Sequence, residues 1–192
     1  STTLFRSVFA SPSPERILTA IKESDQGKGV LLLPMNYSGD VMNFDMAREL
    51  AECEGIFVEM EVIKDDVSTE DDDNSAGRRG IAGTVLVHKV VGAKAEQGAG
   101  LSQVAETARK AIQSVRTMGM AMSSCTLPAV GKPGFSLGET EIEIGMGIHG
   151  EPGILRTEVM TANALAHTLL EKIFADRDYA GQEVAVMVNG LG

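Results

Sequence analysis

The run Val30-Leu31-Leu32-Leu33, closed by Gly29 on one side and Pro34 on the other, constrains the fold of this chain more than any other stretch. Four consecutive apolar residues without alternation suit a strand buried on both faces, as in a parallel sheet covered by helices. The next segments agree. Asn36-Tyr37-Ser38-Gly39-Asp40 is a polar loop, and residues 41–54 read as a helix with Met42, Met46 and Leu50 along one side, stopped by Gly55. Residues 56–63 then form a second strand. Strand, helix, strand in that order predicts parallel pairing through a right-handed crossover.

Further elements follow from local signals. Ser13 and Pro14 start a helix that runs to residue 22, with Ser13 as N-cap and Pro14 at the first helical position. Residues 65–74 are acidic and polar, an exposed connection. Gly77-Arg78-Arg79-Gly80 opens a helix to residue 91, and residues 101–115 form another. Met118-Gly119-Met120-Ala121-Met122 reads as a strand whose methionines fill core gaps. Residues 126–138 are a Pro- and Gly-rich crossing, 141–144 a strand, 157–174 a helix and 183–188 a closing strand. The later strands are separated by a loop crossing rather than a helix, which predicts an α/β fold of two lobes. A parallel-type α/β first lobe covers residues 1–114, a smaller mixed α/β second lobe covers 115–182, and 183–192 return as a strand to the first lobe.

Charge and composition exclude several functions. A formal net charge of −10, with basic residues scattered except for Arg78-Arg79, argues against nucleic-acid binding, which needs clustered Lys and Arg against phosphates. No apolar run approaches the ~18 residues of a membrane span, and no signal-peptide pattern opens the chain. A cytoplasmic protein is expected, with Cys53 and Cys125 as reduced thiols. The three histidines are far apart in sequence and no metal-ligand spacing is present.

One histidine stands out. In Gly145-Met146-Gly147-Ile148-His149-Gly150-Glu151-Pro152-Gly153 it follows the alternating strand Glu141-Ile142-Glu143-Ile144. Gly150, Pro152 and Gly153 prevent the ladder from continuing, so His149 stands on a tight loop with little bulk around it. Such an imidazole reaches a small ligand or bonds its own turn; spacing leaves both open. The glycines Gly145, Gly147 and Gly150 form a G-x-G-x-x-G, but Glu151-Pro152-Gly153 blocks the immediate helix that a dinucleotide site requires.

The loop after the first buried strand is the second candidate. A strand exit leading to a helix N-terminus is where α/β proteins hold ligands. Asp40 there is either the N-cap of the following helix or a base toward a hydroxyl. Ser11 and Ser13 lie in a loop able to close over the same mouth, or serve only as caps. His88 and His167 sit within predicted helices among apolar neighbours and read as packing or surface residues.

These segments come in one order: Asn36-Tyr37-Ser38-Gly39-Asp40 with Asn43-Phe44, Ala76-Gly77-Arg78-Arg79-Gly80, Cys125-Thr126-Leu127-Pro128-Ala129, Gly131-Lys132-Pro133, Gly147 to Gly153, and Val188-Asn189-Gly190-Leu191-Gly192. Together they resemble the dihydroxyacetone kinase family, in its substrate-binding subunit or domain, over nearly the whole chain. The resemblance implies that His149 attacks the ketone carbon of dihydroxyacetone to give a covalent hemiaminal. It implies Asp40 as base or orienter for the hydroxyl that is phosphorylated, giving dihydroxyacetone phosphate. Ser11, Tyr37 and Gly39 would join His149 and Asp40 in contacting substrate. It places ATP or ADP with Mg²⁺ on a separate nucleotide-bearing subunit or domain, so no cofactor is expected on this chain, and it implies a homodimer. Two departures stand out. The family's lysine two residues before the tyrosine is Met35 here. The family's earlier G-G-G-S-G-H-E-P loop, with a further active-site histidine, would lie upstream of Ser1, and the family continues beyond Gly192. The expectation is therefore an incomplete first lobe: a fragment, a split subunit or a degenerate member. Alternatives are a kinase for erythrulose, or a non-catalytic homologue acting as a ketone sensor or transcriptional co-regulator.

Overall fold

The computed structural model describes residues 10–69, 77–124, 126 and 131–190. Cys125, the 127–129 part of its motif, residues 70–76 of the acidic stretch and the final Leu191-Gly192 lie outside the described residues.

The first part of the chain alternates helix and strand. Helix α1 (Pro14–Ser24) begins with proline in its first turn and buries Ile17 and Ile21. Strand β1 (Val30–Leu32) pairs in parallel with β2 (Val58–Met60), Val30 opposite Val58 and Leu32 opposite Met60, with α2 (Ser38–Cys53) between them. Helices α3 (Thr84–Glu96) and α4 (Leu101–Ser114) follow. The unbroken apolar run now has a physical account. Successive strand side chains point to opposite faces. Val30 and Leu32 pack with α1 and α2 in a core of Ile17, Ile21, Ala47, Ala51 and Val58. Leu31 and Leu33 pack with α3 and α4 in a core of Ile63, Val87, Val91, Val104 and Ala108. Both faces are covered, so both need apolar residues.

Five sequence expectations change. On α2 the sheet-facing side carries Ala47 and Ala51, small enough for close helix–sheet approach, while Met42, Met46 and Leu50 are 63%, 49% and 43% exposed. Residues 77–83 do not form the first turn of a helix. The carboxylate of Asp65 accepts from the backbone N–H groups of Ile81 and Gly83, both at 2.8 Å, and the segment stays irregular until a turn at residues 82–83 leads into the helix at Thr84. Asp65 and Asp66 themselves are buried rather than part of an exposed acidic connection. The last two changes lie in the second part of the chain.

There, β3 (Met120–Ala121), β4 (Glu141–Ile144) and β5 (Leu155–Glu158) form an antiparallel sheet in that order, and α5 (Ala162–Asp176) packs on it over Met118, Ile142 and Ile144. Residues 155–158 include the first two positions, 157 and 158, of the helix expected over 157–174. They pair instead with β4, Glu141 opposite Glu158 and Ile144 opposite Leu155, because the glycine loop returns the chain along that edge. The helix starts after Thr161, whose hydroxyl accepts from Ala164 N–H. Residues 182–190 form no strand: Val186 and Val188 are 77% and 94% exposed, and no described strand lies beside them. Their alternation supplies side chains for a ladder but no partner backbone.

The end of α5 docks on the end of α4. Asp176 accepts from both Arg78 and Arg116. Arg177 donates to the Gln113 carbonyl at 2.9 Å and the Tyr179 hydroxyl to the Ser114 carbonyl at 2.7 Å, satisfying acceptors that a helix C-terminus leaves unpaired. Among the described residues no helix is long and apolar enough to cross a membrane.

Candidate active site

The first half of the site is built at the exit of β1. Beyond that strand Met35 bridges Ile63, Asn36 N–H donates to the Ile63 carbonyl, and the Asn36 amide donates to the Arg78 carbonyl at 2.7 Å. These bonds fix the Tyr37 loop against β2 and the segment that leads into α3. Tyr37, not Asp40, is the N-cap of α2; Asp40 lies one turn in, where the helix N-terminus favours its negative charge. A Cβ on Gly39 would stand 2.9 Å from the Ser11 hydroxyl oxygen, so a side chain there would turn that hydroxyl away from its present place. That loop is held by Asn43, whose amide donates to the Pro12 carbonyl at 2.9 Å.

The second half is the loop between β4 and β5. Gly145 leaves the strand at φ 81° and Gly150 turns at φ 84°, both in the region that side-chain-bearing residues avoid. Gly147 N–H donates to the Glu151 carbonyl and Gly150 N–H to that of Gly147, each at 3.1 Å. The carboxylate of Glu151 then clamps the histidine twice. One oxygen lies 2.9 Å from His149 Nδ1, and the other accepts from the His149 backbone N–H at 2.9 Å. A neutral imidazole held in this way carries its proton on Nδ1 and its lone pair on Nε2. Partial burial works to raise the Glu151 carboxyl, but hydrogen bonds from backbone N–H groups and the His149 ring outweigh it and hold it below its usual range.

The two halves meet across one cavity of about 350 Å³, lined by Ala10, Ser11, Met35, Tyr37, Asp40, Ile148 and His149. The Tyr37 ring stands edge-on to the imidazole, centroids 4.7 Å apart at 83°. Its hydroxyl is buried and has no hydrogen-bond partner among the described residues. Burial first, and then the charge of Glu151, push that phenol well above its ordinary value, so it stays protonated. Thus Ser11, Tyr37, Asp40 and His149, far apart in sequence, share a wall, with Gly39 directly beneath Ser11. Met35, standing where the resembled family has lysine, is in the same wall. His88 and His167 are elsewhere: His88 Nε2 lies 3.5 Å from the Leu33 carbonyl, and His167 lies 3.4 Å from Glu171 on the surface of α5.

Sequence inspection passed over two residues here. Glu151 was noted only as a helix blocker, although a carboxylate two positions after a histidine in a glycine turn is a legible signal for an orienting partner. Arg79 was noted only as half of a basic pair; its burial depends on contacts distant in sequence.

A small cavity at a strand exit, lined by a carboxylate and by an imidazole that a second carboxylate orients, is the arrangement in which α/β proteins hold small molecules. The chain belongs to the Dak1 domain family, which it matches over residues 3–192. It is 53% identical over 186 residues to the PTS-dependent dihydroxyacetone kinase 1, dihydroxyacetone-binding subunit DhaK, of Listeria innocua, covering 96% of this chain and 56% of that protein. An L-erythrulose kinase of Pectobacterium atrosepticum is 40% identical over 190 residues, 96% of this chain and 32% of that protein. The dihydroxyacetone kinase of C. freundii has the same fold, with TM-score 0.81 and 40% identity over 88% of this chain and 30% of that one, and has also been solved with AMP-PNP and Mg²⁺. A dihydroxyacetone kinase operon co-activator, Dha-DhaQ, superposes with TM-score 0.79 at 33% identity over 86% of this chain and 50% of that one. The chain thus spans little more than half the length of the DhaK subunit it matches.

Proposed function

We propose that this chain binds dihydroxyacetone, or a short ketose close to it, as a covalent hemiaminal on His149 and presents a hydroxyl for phosphorylation. The observation that carries this is that Asp40 and His149, the latter held by Glu151, line one cavity. Nε2 attacks the ketone carbon, the carbonyl π electrons move to oxygen, and the Nδ1 proton passes by way of Glu151 and solvent to that oxygen. The ring ends neutral, Glu151 ends as the carboxylate it began as, and no water is lost. Imidazole nitrogen is a competent nucleophile toward a carbonyl, and a polyol without a carbonyl cannot form the adduct. Asp40 then orients or deprotonates the hydroxyl that attacks phosphorus. Ser11 and Tyr37 shape the wall around the triose.

The phosphoryl donor, ATP or a nucleotide-bearing subunit recharged by a phosphotransferase system, belongs in this proposal to a partner that brings nucleotide and Mg²⁺. The family resemblance and the names of the relatives support that division of labour. A homodimer and a division into a parallel lobe carrying Asp40 and an antiparallel lobe carrying His149 complete the proposal. A second function, a ketone-sensing regulator without turnover, is favoured by Met35 in the cavity wall and by the likeness to the operon co-activator.

Native mass spectrometry with dihydroxyacetone tests capture. The expected result is a gain of one intact triose without loss of water, absent in His149→Ala. No gain in the unaltered chain sinks the capture step. Erythrulose in parallel ranks the ketoses, and added donor partner separates a kinase, which releases triose phosphate, from a sensor, which does not.

A further inference from the structure

We propose that Arg79 is the positioning residue for His149: a guanidinium from the segment before α3 that reaches the start of the histidine loop and sets where the imidazole and its carboxylate stand. The proposal rests on the capture function above and deepens it.

Arg79 is 9% exposed, and all of its described acceptors are buried. Its Nε donates to Asp66 Oδ2 at 2.8 Å. Its Nη2 donates to the Gly145 carbonyl and to the Ser68 hydroxyl, each at 2.7 Å. Ser68 in turn donates within reach of Asp66 Oδ1, at 2.6 Å, and lies 3.1 Å from the same Gly145 carbonyl. One peptide oxygen, at the residue where the chain leaves β4, is therefore held by a guanidinium N–H from a distant part of the sequence, and the guanidinium is itself fixed by Asp66 and Ser68. Further along, a Cβ built on Gly147 would lie 2.7 Å from Arg79 Nη1 and would also collide with the Glu151 carboxylate. The arginine and the carboxylate thus close on one glycine from adjacent directions. Gly147 N–H bonds the Glu151 carbonyl, and the Glu151 carboxylate bonds His149. Position passes along this path from Asp66 through Arg79 to Gly145 and Gly147, then through Glu151 to the ring.

The fold does not require this arrangement to close its sheet. Gly145 N–H already donates to the Gly119 carbonyl at 2.7 Å, and Ile154 N–H returns to the Ile144 carbonyl at 2.8 Å. The β4–β5 pairing is complete without the arginine. What Arg79 adds is the aim of the loop between those bonds. A reacting atom displaced by about 1 Å loses on the order of 10²-fold in rate. A fork with fixed geometry suits that task better than a flexible ammonium.

The test uses the full chain labelled with ¹⁵N in histidine. Ring-nitrogen shifts of His149 without ketone report the tautomer; adduct growth with dihydroxyacetone reports capture. In the unaltered chain the Nδ1–H tautomer dominates. Arg79→Met is expected to lose that bias and to slow adduct formation by about 10²-fold at saturating ketone. Arg79→Lys, able to reach the Gly145 carbonyl but not to form the fork, is expected to recover part of both, and it carries the test if Arg79→Met does not fold. Val91→Ala, a core truncation between α3 and α4, lowers the melting temperature while leaving tautomer and rate unchanged. An unaltered tautomer ratio in folded Arg79→Met or Arg79→Lys overturns the proposal, as does an equal change in Val91→Ala. The tautomer is read without ketone, so absence of adduct in the unaltered chain sinks the capture function alone.

Discussion

At the scale of single residues, the proposed function divides the work between His149, which would bond to the ketone, and two carboxylates, Glu151 at the imidazole and Asp40 at the hydroxyl. Glu151→Gln keeps the shape of the clamp but removes the charge that holds the Nδ1 proton. We expect adduct formation to slow by about tenfold to 10²-fold, below the 10²–10⁴-fold of a full acid–base group, measured by time-resolved mass spectrometry. Asp40→Asn should show the opposite separation. The adduct forms at the normal rate, while phosphoryl transfer in the presence of a donor partner falls by about 10²–10⁴-fold. Loss of capture in Asp40→Asn would mean that Asp40 helps the imidazole rather than the hydroxyl. The histidine and the aspartate were both visible in the sequence because each sits in a short segment whose glycines and polar residues suit a turn rather than an apolar core. The arginine was not visible. A basic pair in a sequence normally faces water; only the arrival of Asp66, Ser68 and the Gly145 carbonyl around Arg79 makes it an interior residue.

At the scale of elements, the two parts of the chain are joined where helices end. Asp176, at the C-terminus of α5, is held by Arg78 and Arg116, and hydrogen bonds from Arg78 first and Arg116 after it bring its carboxyl down to about 2. Arg78 also links to the site, since its carbonyl accepts from the Asn36 amide one residue before Tyr37. Asp176→Asn leaves two guanidinium groups facing a neutral amide. A loss of about 2 kcal/mol is expected, the scale of charge-assisted hydrogen bonds at a partly buried site, read from denaturant midpoints. The same element shows why helix boundaries were misplaced in the sequence. Residues 155–158 have no intrinsic signal against helix strong enough to outweigh their neighbours; β4 alone, pairing along that edge, makes them a strand. Residues 77–83 likewise stay out of the helix, and there the Asp65 carboxylate captures the backbone N–H groups of Ile81 and Gly83.

At the scale of the whole molecule, acid is the condition to which this protein should be most sensitive. Asp176, Glu143 and Glu151 all have carboxyls lowered from ordinary values of 3.8, 4.5 and 4.5. For Glu143 the first cause is the Gly153 N–H, then the Arg156 side chain. A carboxylate whose folded value is depressed contributes stability that is fully present above its unfolded value and is lost as pH falls through the folded one. Stability should therefore be level near pH 7, begin to fall below about pH 4.5, and continue falling to about pH 2, where Asp176 takes up its proton. Denaturant midpoints across that range check the slope. In Asp176→Asn the lowest part of the curve should flatten.

What the sequence determined by itself is the parallel β-α-β unit and the two glycine-framed segments that carry Asp40 and His149. Those depend on local rules: apolar runs, helix stops, and turns that only glycine and proline allow. What only the tertiary structure decided is the pairing of the glutamate with the histidine at hydrogen-bond distance, the burial of Arg79 and the two buried aspartates, and the strand in place of a helix turn after Gly153. Each of these depends on a partner distant in sequence or on the exact turn of a loop. Free energy from such contacts exceeds the few tenths of a kcal/mol per residue by which local propensities differ.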